Sequence, residues 1–176
     1  MFLLRLVGQA YFLLLPIIIG GVLNMVFVKL PLLQSWRVPM DGGKTLRDGK
    51  RLFGDHKTWK GFVGMIVLTA LAAWLVWHRS FELSWLRGAL VGFAYVLAEL
   101  PNSFVKRRLN LPPGKSGGFV QTFFDQADSI IGCLLFMLPV IPINAALALA
   151  YLVLGTATHY LINVLLYLIK LRGQKG

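Results

Sequence analysis

Acidic residues at helical spacing are the first feature of this chain that could support chemistry. Asp125 and Asp128 are three residues apart, so they share one face if their segment is helical. Glu99, Ser103 and Lys106 are spaced i, i+4 and i+7, which places them on one face of another helix. We therefore expect two different helices to bring carboxylates to the same depth.

The chemistry that suits these carboxylates is the binding of a hard cation. No cluster of His or Cys accompanies them, so their oxygens favour Mg²⁺ over Zn²⁺. Glu99 lies in an apolar segment, where an ionised carboxylate costs roughly 2.5 to 3.5 kcal/mol and needs a cation, a cavity or a partner charge. The alternative is a structural ion pair, either Glu99 with Lys106 or Asp125 with Arg107.

Basic residues surround the same segments and predict an anionic ligand. They are Lys57, Lys60, Lys106, Arg107, Arg108 and Lys115. A phosphate-rich substrate held by Mg²⁺ and Lys/Arg would satisfy both signs of charge. The alternative is attraction of the basic residues to anionic lipid headgroups. For Asp41 and Asp48, solubility of a charged loop is an alternative to a functional role.

The elements that must position these residues are membrane helices. The chain has 176 residues, 57% of them hydrophobic and only 14% charged, and its mean hydropathy is +0.69, too apolar for a soluble domain of this size. We expect an all-α integral membrane protein with one membrane-embedded domain, 1–176, and about five transmembrane helices. The expected helices are 6–28, 61–78, 84–105, 119–141 and 145–169, and the loops between them include charged segments at 29–60 and 106–118.

Two of these helices come from the 41 uncharged residues between Ser129 and Ile169. A bilayer core of about 30 Å needs about 20 helical residues, so this run predicts two passes. Pro139, Pro142 and Asn144 mark the break between them.

The distribution of Lys and Arg predicts the orientation. Of the 18 basic residues, 15 lie in the two charged loops and the C-terminal tail, and three (Arg5, Arg79 and Arg87) lie on the other side. The positive-inside rule then puts the N-terminus outside and the C-terminus and charged loops in the cytoplasm. We discount a cleavable signal peptide at residues 1–28, because the apolar run is too long and no small-residue cleavage site follows it. The single Cys133 can form no internal disulfide.

Two short motifs are weak indicators. The "GKS" at Gly114–Ser116 ends like a P-loop, but Leu109 occupies the position of the required upstream glycine. Gly88 and Gly92 form a G-x-x-x-G that favours close helix packing and leaves a homodimer open.

Taken together, three segments resemble the CDP-archaeol synthase family, the small five-helix branch of the CDP-diacylglycerol synthase superfamily, with its bacterial relatives. They are "RDGKRLFGDHKTWKGF" (Arg47–Phe62), "SFVKRR" (Ser103–Arg108) and "FDQAD" (Phe124–Asp128), in which an S-x-x-K-R motif is followed by D-x-x-D. The chain departs from the family pattern at three places. It has "DHKT" for D-G-K-T, Glu99 for Asp, and "LPPG" for the K-D pair of the larger synthases.

The resemblance implies roles for individual residues. Mg²⁺ is expected on four carboxylates: Asp55, Glu99, Asp125 and Asp128. Nucleotide contact is expected from Asp55, Lys57, Thr58, Lys60, Ser103 and Lys115, and direct participation in catalysis from Asp125, Asp128, Lys106 and Arg107.

The implied reaction joins CTP to a glycerolipid phosphate, giving a CDP-activated lipid and pyrophosphate. The expected partners are CTP, a lipid phosphate of diether or diacyl type and the bilayer, with no nucleic acid. One alternative is a CDP-alcohol phosphotransferase, whose D-G-x-x-A-R and spaced Asp motif the chain lacks. Another is a small transporter with Glu99 as its ion site, but the external side has few polar residues to give access.

Overall fold

The fold is a bundle of five α-helices. A computed structural model describes residues 1–111 and 118–170, and within these ranges the helices are α1 (Phe2–Lys29), α2 (Trp59–Trp77), α3 (Ser84–Arg108), α4 (Phe119–Met137) and α5 (Ala145–Leu168). A short 3₁₀ helix, Gln34–Trp36, lies in the loop between α1 and α2. The predicted all-α fold with five helices is confirmed.

Four of the described helices are long and apolar enough to cross a membrane: α1, α2, α3 and α5. Large apolar side chains on these helices are exposed at the surface of the bundle, among them Leu71, Leu149 and Leu161. A lipid bilayer is the environment in which such side chains are stable. The fourth helix, α4, carries Gln121, Asp125, Gln126 and Asp128 along its first half, and these polar residues lower its hydropathy.

Two predicted helix ends differ from the structure by four residues. The first helix is predicted to begin at residue 6, whereas α1 begins at Phe2. We expected the fourth helix to reach residue 141, but α4 ends at Met137. The amides of Val140 and Ile141 both donate to the carbonyl of Met137, at 2.9 and 2.8 Å, and so form a tight turn. Pro139 has no amide hydrogen to continue the helical pattern, which explains the earlier end.

The helices pack in chain order, and α5 returns to contact α1, so the bundle is closed. Its core contains Leu14 and Ile17 of α1, Trp77 of α2, Val91 of α3 and Tyr151 of α5. The Trp77 indole donates to the carbonyl of Phe12 at 2.9 Å, which satisfies its one polar group inside the core.

Glycines set the spacing between neighbouring helices. A Cβ atom at Gly88 would lie 2.3 Å from the Cβ of Ala73, so α3 touches α2 at this point. A Cβ atom at Gly132 would lie 2.3 Å from the Cβ of Ala98, so α4 touches α3 equally closely. The G-x-x-x-G of Gly88 and Gly92 is therefore used inside the chain, against α2, rather than being free for a second copy.

Candidate active site

A polar cavity of about 210 Å³ lies where the α1–α2 loop meets α3 and α4. It is lined by Phe53, His56 and Lys57 of the loop, Glu99, Asn102, Ser103, Lys106 and Arg107 of α3, and Asp125 and Asp128 of α4. The loop, the last turns of α3 and the first turns of α4 all lie at one end of the bundle. The carboxylates of two helices therefore meet at one depth, as their spacing predicted.

Ion pairs link the three elements across the cavity. The Lys57 ammonium of the loop contacts the Glu99 carboxylate of α3, and Lys106 of α3 contacts Asp125 of α4. Ion pairing was the structural alternative for these acids, but with other partners. Glu99 pairs with Lys57 rather than with Lys106, and Asp125 pairs with Lys106 rather than with Arg107.

Asn102 connects the two aspartates and was missed in the sequence. Its Nδ2 donates to Asp125 Oδ1 at 2.7 Å and to Asp128 Oδ2 at 2.8 Å. Gln121 Nε2 donates to Asn102 Oδ1 at 2.7 Å and to Asp125 Oδ1 at 3.1 Å. Asn102 is three residues after Glu99 and four before Lys106, so helical spacing was the signal that could have identified it.

Ser129 joins the third carboxylate to this group. Its hydroxyl lies 2.9 Å from Asp128 Oδ1 and 3.4 Å from Glu99 Oε1, and its amide donates to Asp128 Oδ1 at 2.5 Å. A short chain of contacts thus runs from Glu99 through Ser129 and Asp128 to Asn102.

The loop that carries Lys57 is organised around the buried carboxylate of Asp41. Both oxygens of Asp41 contact the Arg51 guanidinium. Backbone amides of Gly43, Phe53 and Gly54 also donate to Asp41, at 3.1, 3.1 and 3.0 Å. Because two of these amides belong to the turn just before His56 and Lys57, Asp41 holds the loop segment that faces the cavity.

The electrostatics of Asp41 agree with this structural role. Burial acts to raise the pKa of Asp41, but the Arg51 guanidinium and the three backbone amides act more strongly in the other direction. The pKa of Asp41 therefore lies well below the usual range for aspartate. No pattern in the sequence indicates this role, because all of the partners except the Gly43 amide are 10 to 13 residues away in the chain.

A second set of contacts attaches the loop to the end of α3. Arg108 Nη1 donates to both oxygens of Asp48, at 2.8 and 2.6 Å, and Arg108 Nη2 donates to the carbonyl of Arg51 at 2.5 Å. Lys50 Nζ in turn donates to the carbonyl of Arg108 at 2.8 Å. The loop and the end of α3 are thus joined by donors from both elements.

Three described residues that were predicted to bind nucleotide or metal do not line the cavity. The Asp55 side chain is 72% exposed and pairs with Arg51 at 2.8 Å, away from the cavity lining. Thr58 caps the N-terminus of α2, its hydroxyl accepting from Gly61 N at 3.2 Å. Lys60 is 1% exposed and donates to the carbonyls of Val28 and Leu30 at the end of α1. Lys115 lies outside the described residues.

Arg107 faces the cavity with an unsatisfied polar atom. Its Nε is buried and has no hydrogen-bond partner within the described structure. A buried donor without a partner costs free energy unless a ligand or water fills the gap. The guanidinium is therefore suited to an anion that enters the cavity.

The donor set fits a hard cation only in part. Among residues 1–111 and 118–170, no three His, Cys, Asp or Glu side chains lie close enough together to hold a metal ion. Asp125 and Asp128 do direct one oxygen each to a common point, which the Asn102 amide nitrogen occupies. Two carboxylates are sufficient for Mg²⁺ when substrate phosphates and water supply the other oxygens.

The fold and the cavity define a helical membrane protein with a polar cavity, lined by basic and acidic side chains, at one end of the bundle. Over residues 3–174 the chain matches the model of the CarS-like family, CDP-archaeol synthase. The chain belongs to this family.

Individual relatives agree with this assignment. The chain is 36% identical over 145 residues to CDP-archaeol synthase of Pyrococcus furiosus, covering 80% of this chain and 84% of the relative. It is 34% identical over 143 residues to CDP-archaeol synthase of Thermococcus gammatolerans, covering 78% and 81%. A solved structure of an intramembrane enzyme for archaeal membrane lipids biosynthesis superposes with a TM-score of 0.68 at 26% identity, covering 88% of this chain and 92% of that one. The protein is an integral membrane protein.

Proposed function

We propose that the chain is a CTP-dependent cytidylyltransferase that converts a glycerolipid phosphate to a CDP-activated lipid with release of pyrophosphate. The observation that carries the proposal is the cavity itself, in which Lys57, Lys106 and Arg107 face Asp125 and Asp128 at one end of a membrane bundle. Relatives over most of the chain are CDP-archaeol synthases, which supports the same reaction.

The reaction is an in-line displacement at phosphorus. An oxygen of the lipid phosphate forms a bond to the α-phosphorus of CTP, the bond from that phosphorus to the α,β-bridging oxygen breaks, and pyrophosphate leaves. A phosphate monoester with a second pKa near 6 is already largely dianionic at pH 7, so no general base is required. The main barrier is repulsion between two polyanions, which positioning and charge neutralisation reduce.

Lys57, Lys106 and Arg107 are the residues that would neutralise the phosphates. Lys57 and Lys106 are held by Glu99 and Asp125, so their charges lie beside the cavity. Each ammonium has three donors and can contact a phosphate oxygen without moving far. Arg107 contributes a guanidinium whose Nε has no hydrogen-bond partner among the described residues.

Asp125 and Asp128 would hold a Mg²⁺ ion, with Glu99 connected to them through Ser129. When bound, the cation would offset negative charge on the phosphates of CTP. The more distant carboxylate of Asp55 is not needed for this arrangement.

The acceptor lipid would lie in the bilayer with its phosphate at the cavity, and the charged end of the bundle would face the cytoplasm, where CTP is present. The bias of 15 to 3 in basic residues supports this orientation. The relatives' name points to an archaeal-type diether as the lipid. Apolar contacts discriminate weakly between hydrocarbon chains, by about 1 to 3 kcal/mol per methylene, so a diacyl lipid phosphate is the competitor to test.

The test is turnover by the purified protein in neutral detergent. We expect CTP, Mg²⁺ and an equimolar mixture of diether and diacyl glycerol phosphates to give a CDP-lipid and pyrophosphate, identified by mass. Asp128→Asn is the matched inactive variant, and EDTA should abolish product formation. A protein that binds lipid phosphate but forms no CDP-lipid under these conditions would refute the proposal and favour a carrier.

A further inference from the structure

The amide nitrogen of Asn102 lies next to two carboxylate oxygens, where a cation would be the expected neighbour. Two carboxylate oxygens from α4, Asp125 Oδ1 and Asp128 Oδ2, lie within 2.8 Å of the same Nδ2 atom. Two carboxylates directed to one point repel each other unless a positive group or a hydrogen-bond donor lies between them. The Asn102 amide supplies that donor.

The same point is where the oxygens would meet a cation. Mg²⁺ requires six oxygens near 2.0 to 2.1 Å and rejects a protonated amide nitrogen. Asn102 would therefore have to leave the point or change the atom that it presents. An asparagine amide has an oxygen on one side and an NH₂ group of almost equal size on the other, so half a turn about the last side-chain bond exchanges them.

We propose that Asn102 is a residue of the cation site whose amide exchanges ends: Nδ2 bridges Asp125 and Asp128 in the arrangement described above, and Oδ1 contacts the cation when one binds. This inference rests on the cation of the proposed function. Asn102 Oδ1 would be the third protein oxygen at the cation, which the described carboxylates do not provide. The amide then donates to the two carboxylates in one state and is a cation ligand in the other.

Gln121 makes the exchange compatible with hydrogen bonding. Its Nε2 now donates to Asn102 Oδ1 at 2.7 Å. After the Asn102 amide turns, its NH₂ group faces Gln121, and a matching half turn of Gln121 presents an acceptor oxygen. The bond between the two amides therefore remains in both states, which is necessary for polar groups in a partly buried site. Gln121 gives up its 3.1 Å bond to Asp125 Oδ1 in the exchange, and the cation on that carboxylate would replace it.

The experiment is a Mn²⁺ titration of nucleotide-free protein in detergent, with free Mn²⁺ measured by electron paramagnetic resonance. We expect Asn102→Leu to weaken Mn²⁺ binding about ten- to a hundredfold, the usual effect of removing a group that supports a metal site. If Asn102 were only a competing donor, the same variant would bind Mn²⁺ as tightly as the unmodified protein or more tightly, and the proposal would be wrong.

Two further variants separate a lost ligand from a disturbed fold. Asn102→Asp keeps an oxygen at the same position, so we expect it to bind Mn²⁺ at least as tightly as the unmodified protein; a loss equal to that of Asn102→Leu would overturn the proposal. Asn144→Leu removes an asparagine that caps α5 at the other end of the bundle, through a 2.9 Å bond from Leu147 N, and should leave Mn²⁺ affinity unchanged.

The titration and the turnover assay can fail separately. If the unmodified protein forms CDP-lipid with a divalent cation but Asn102→Leu binds Mn²⁺ normally, only the role of Asn102 is refuted. If the unmodified protein forms no CDP-lipid with any cation, the proposed reaction is refuted, while the loss of Mn²⁺ binding in Asn102→Leu still reports the cation site.

Discussion

At the scale of single residues, the cavity is already neutralised before any ligand enters. Lys57 and Lys106 each contact a carboxylate, with side chains that are 26% and 14% exposed. A phosphate that binds these lysines must therefore compete with Glu99 and Asp125. A cation on the carboxylates would remove that competition, so binding of CTP and of the cation should favour each other.

Kinetics can distinguish phosphate contact from attraction to lipid headgroups. We expect Lys57→Ala and Lys106→Ala to lower kcat/KM for CTP by roughly ten- to a hundredfold, since a charged hydrogen bond is worth about 1.5 to 3 kcal/mol. The measurement is CTP kinetics in neutral detergent, which removes the charged headgroups. Lys44→Ala is the control, because Lys44 is an exposed lysine of the same loop. Equal kinetics for all three variants would contradict a nucleotide-binding role.

Most of the predicted residues that line the cavity have regular helical spacing, whereas Lys57 and Arg107 were predicted from the cluster of basic residues and the family motifs. Glu99, Ser103, Lys106, Asp125 and Asp128 all line the cavity, because their spacing alone places them on two helix faces. Thr58 and Lys60 lie next to Lys57 in sequence but serve as helix caps. Capping depends on where a helix begins and on which other helix ends nearby, and a short motif shows neither.

At the scale of the elements, the α1–α2 loop is held by Asp41 on one side and by Arg108 on the other. Neither contact could be predicted, since a loop without periodicity gives no information on which distant residues meet. The helices were easier to predict, because continuous apolar runs of membrane length have few other solutions. The end of α4 was the exception, where a proline and a tight turn shortened the expected span.

The Asp41 contacts predict how the loop responds to substitution. Asp41→Asn weakens the Arg51 pair and at least one amide bond, so we expect tryptic cleavage at the exposed Lys44 and Arg47 to be about ten- to a hundredfold faster, corresponding to about 1.5 to 3 kcal/mol. Cleavage rates of folded protein in detergent measure this. Asp48→Asn is the matched control, with a smaller expected rise, because the Asp48 side chain is 41% exposed. Equal rates in both variants would show that Asp41 has no special role.

The pH dependence of the loop follows from the same carboxylate. The pKa of Asp41 is lower in the folded loop than in the unfolded chain. Its stabilising contribution is therefore fully present above the unfolded pKa of about 3.9 and is lost as pH falls through the lower, folded value. Loop protection from proteolysis by an acid-tolerant protease should stay constant from about pH 7 to pH 5. A loss of protection within that window would contradict the assignment.

Helix packing gives a prediction for stability. Gly88→Ala would bring a methyl group to 2.3 Å from Ala73 Cβ and 2.8 Å from the carbonyl oxygen of Thr69, so α2 and α3 must separate. We expect a loss of about 1 to 3 kcal/mol in the free energy of unfolding, measured by denaturant titration in detergent. Gly8→Ala is the control, because a Cβ atom there meets nothing within 4 Å. It should be neutral or stabilising by up to about 1 kcal/mol; an equal loss in both variants would refute the packing argument.

At the scale of the whole molecule, the ends of the helices sort into two sets. The charged loop and the cavity are surrounded by the end of α1, the start of α2, the end of α3 and the start of α4. The end of α5 lies at the same end of the bundle, because Lys29 Nζ donates to the carbonyl of Lys170 at 3.4 Å. The opposite set includes Arg87, whose Nη1 donates to the carbonyl of Val140 at 2.9 Å. One face of the bundle thus carries the polar cavity.

Cysteine labelling in intact cells tests which face is cytoplasmic. In a Cys133→Ser background, we expect Lys50→Cys to react with an impermeant thiol reagent only after the membrane is opened, and Glu82→Cys to react from outside. The reason is the excess of basic residues on the loop side. Reaction of Lys50→Cys in sealed cells would reverse the proposed orientation.

The close contact of Gly132 with Ala98 affects which size of cation the site would prefer. Ala98 precedes Glu99, and Gly132 is one helical turn after Asp128, so this contact sets the distance between the acidic faces of α3 and α4. Gly132→Ala would force the two helices apart and enlarge the space between their oxygens. Ca²⁺ binds oxygen at 2.3 to 2.6 Å and Mg²⁺ at 2.0 to 2.1 Å. We therefore expect the ratio of Ca²⁺ to Mg²⁺ affinity, measured by competition with Mn²⁺, to rise in Gly132→Ala and to stay constant in Gly8→Ala. The missing Cβ at Gly132, which lets α4 approach α3 closely, would then determine the size of cation that the site prefers.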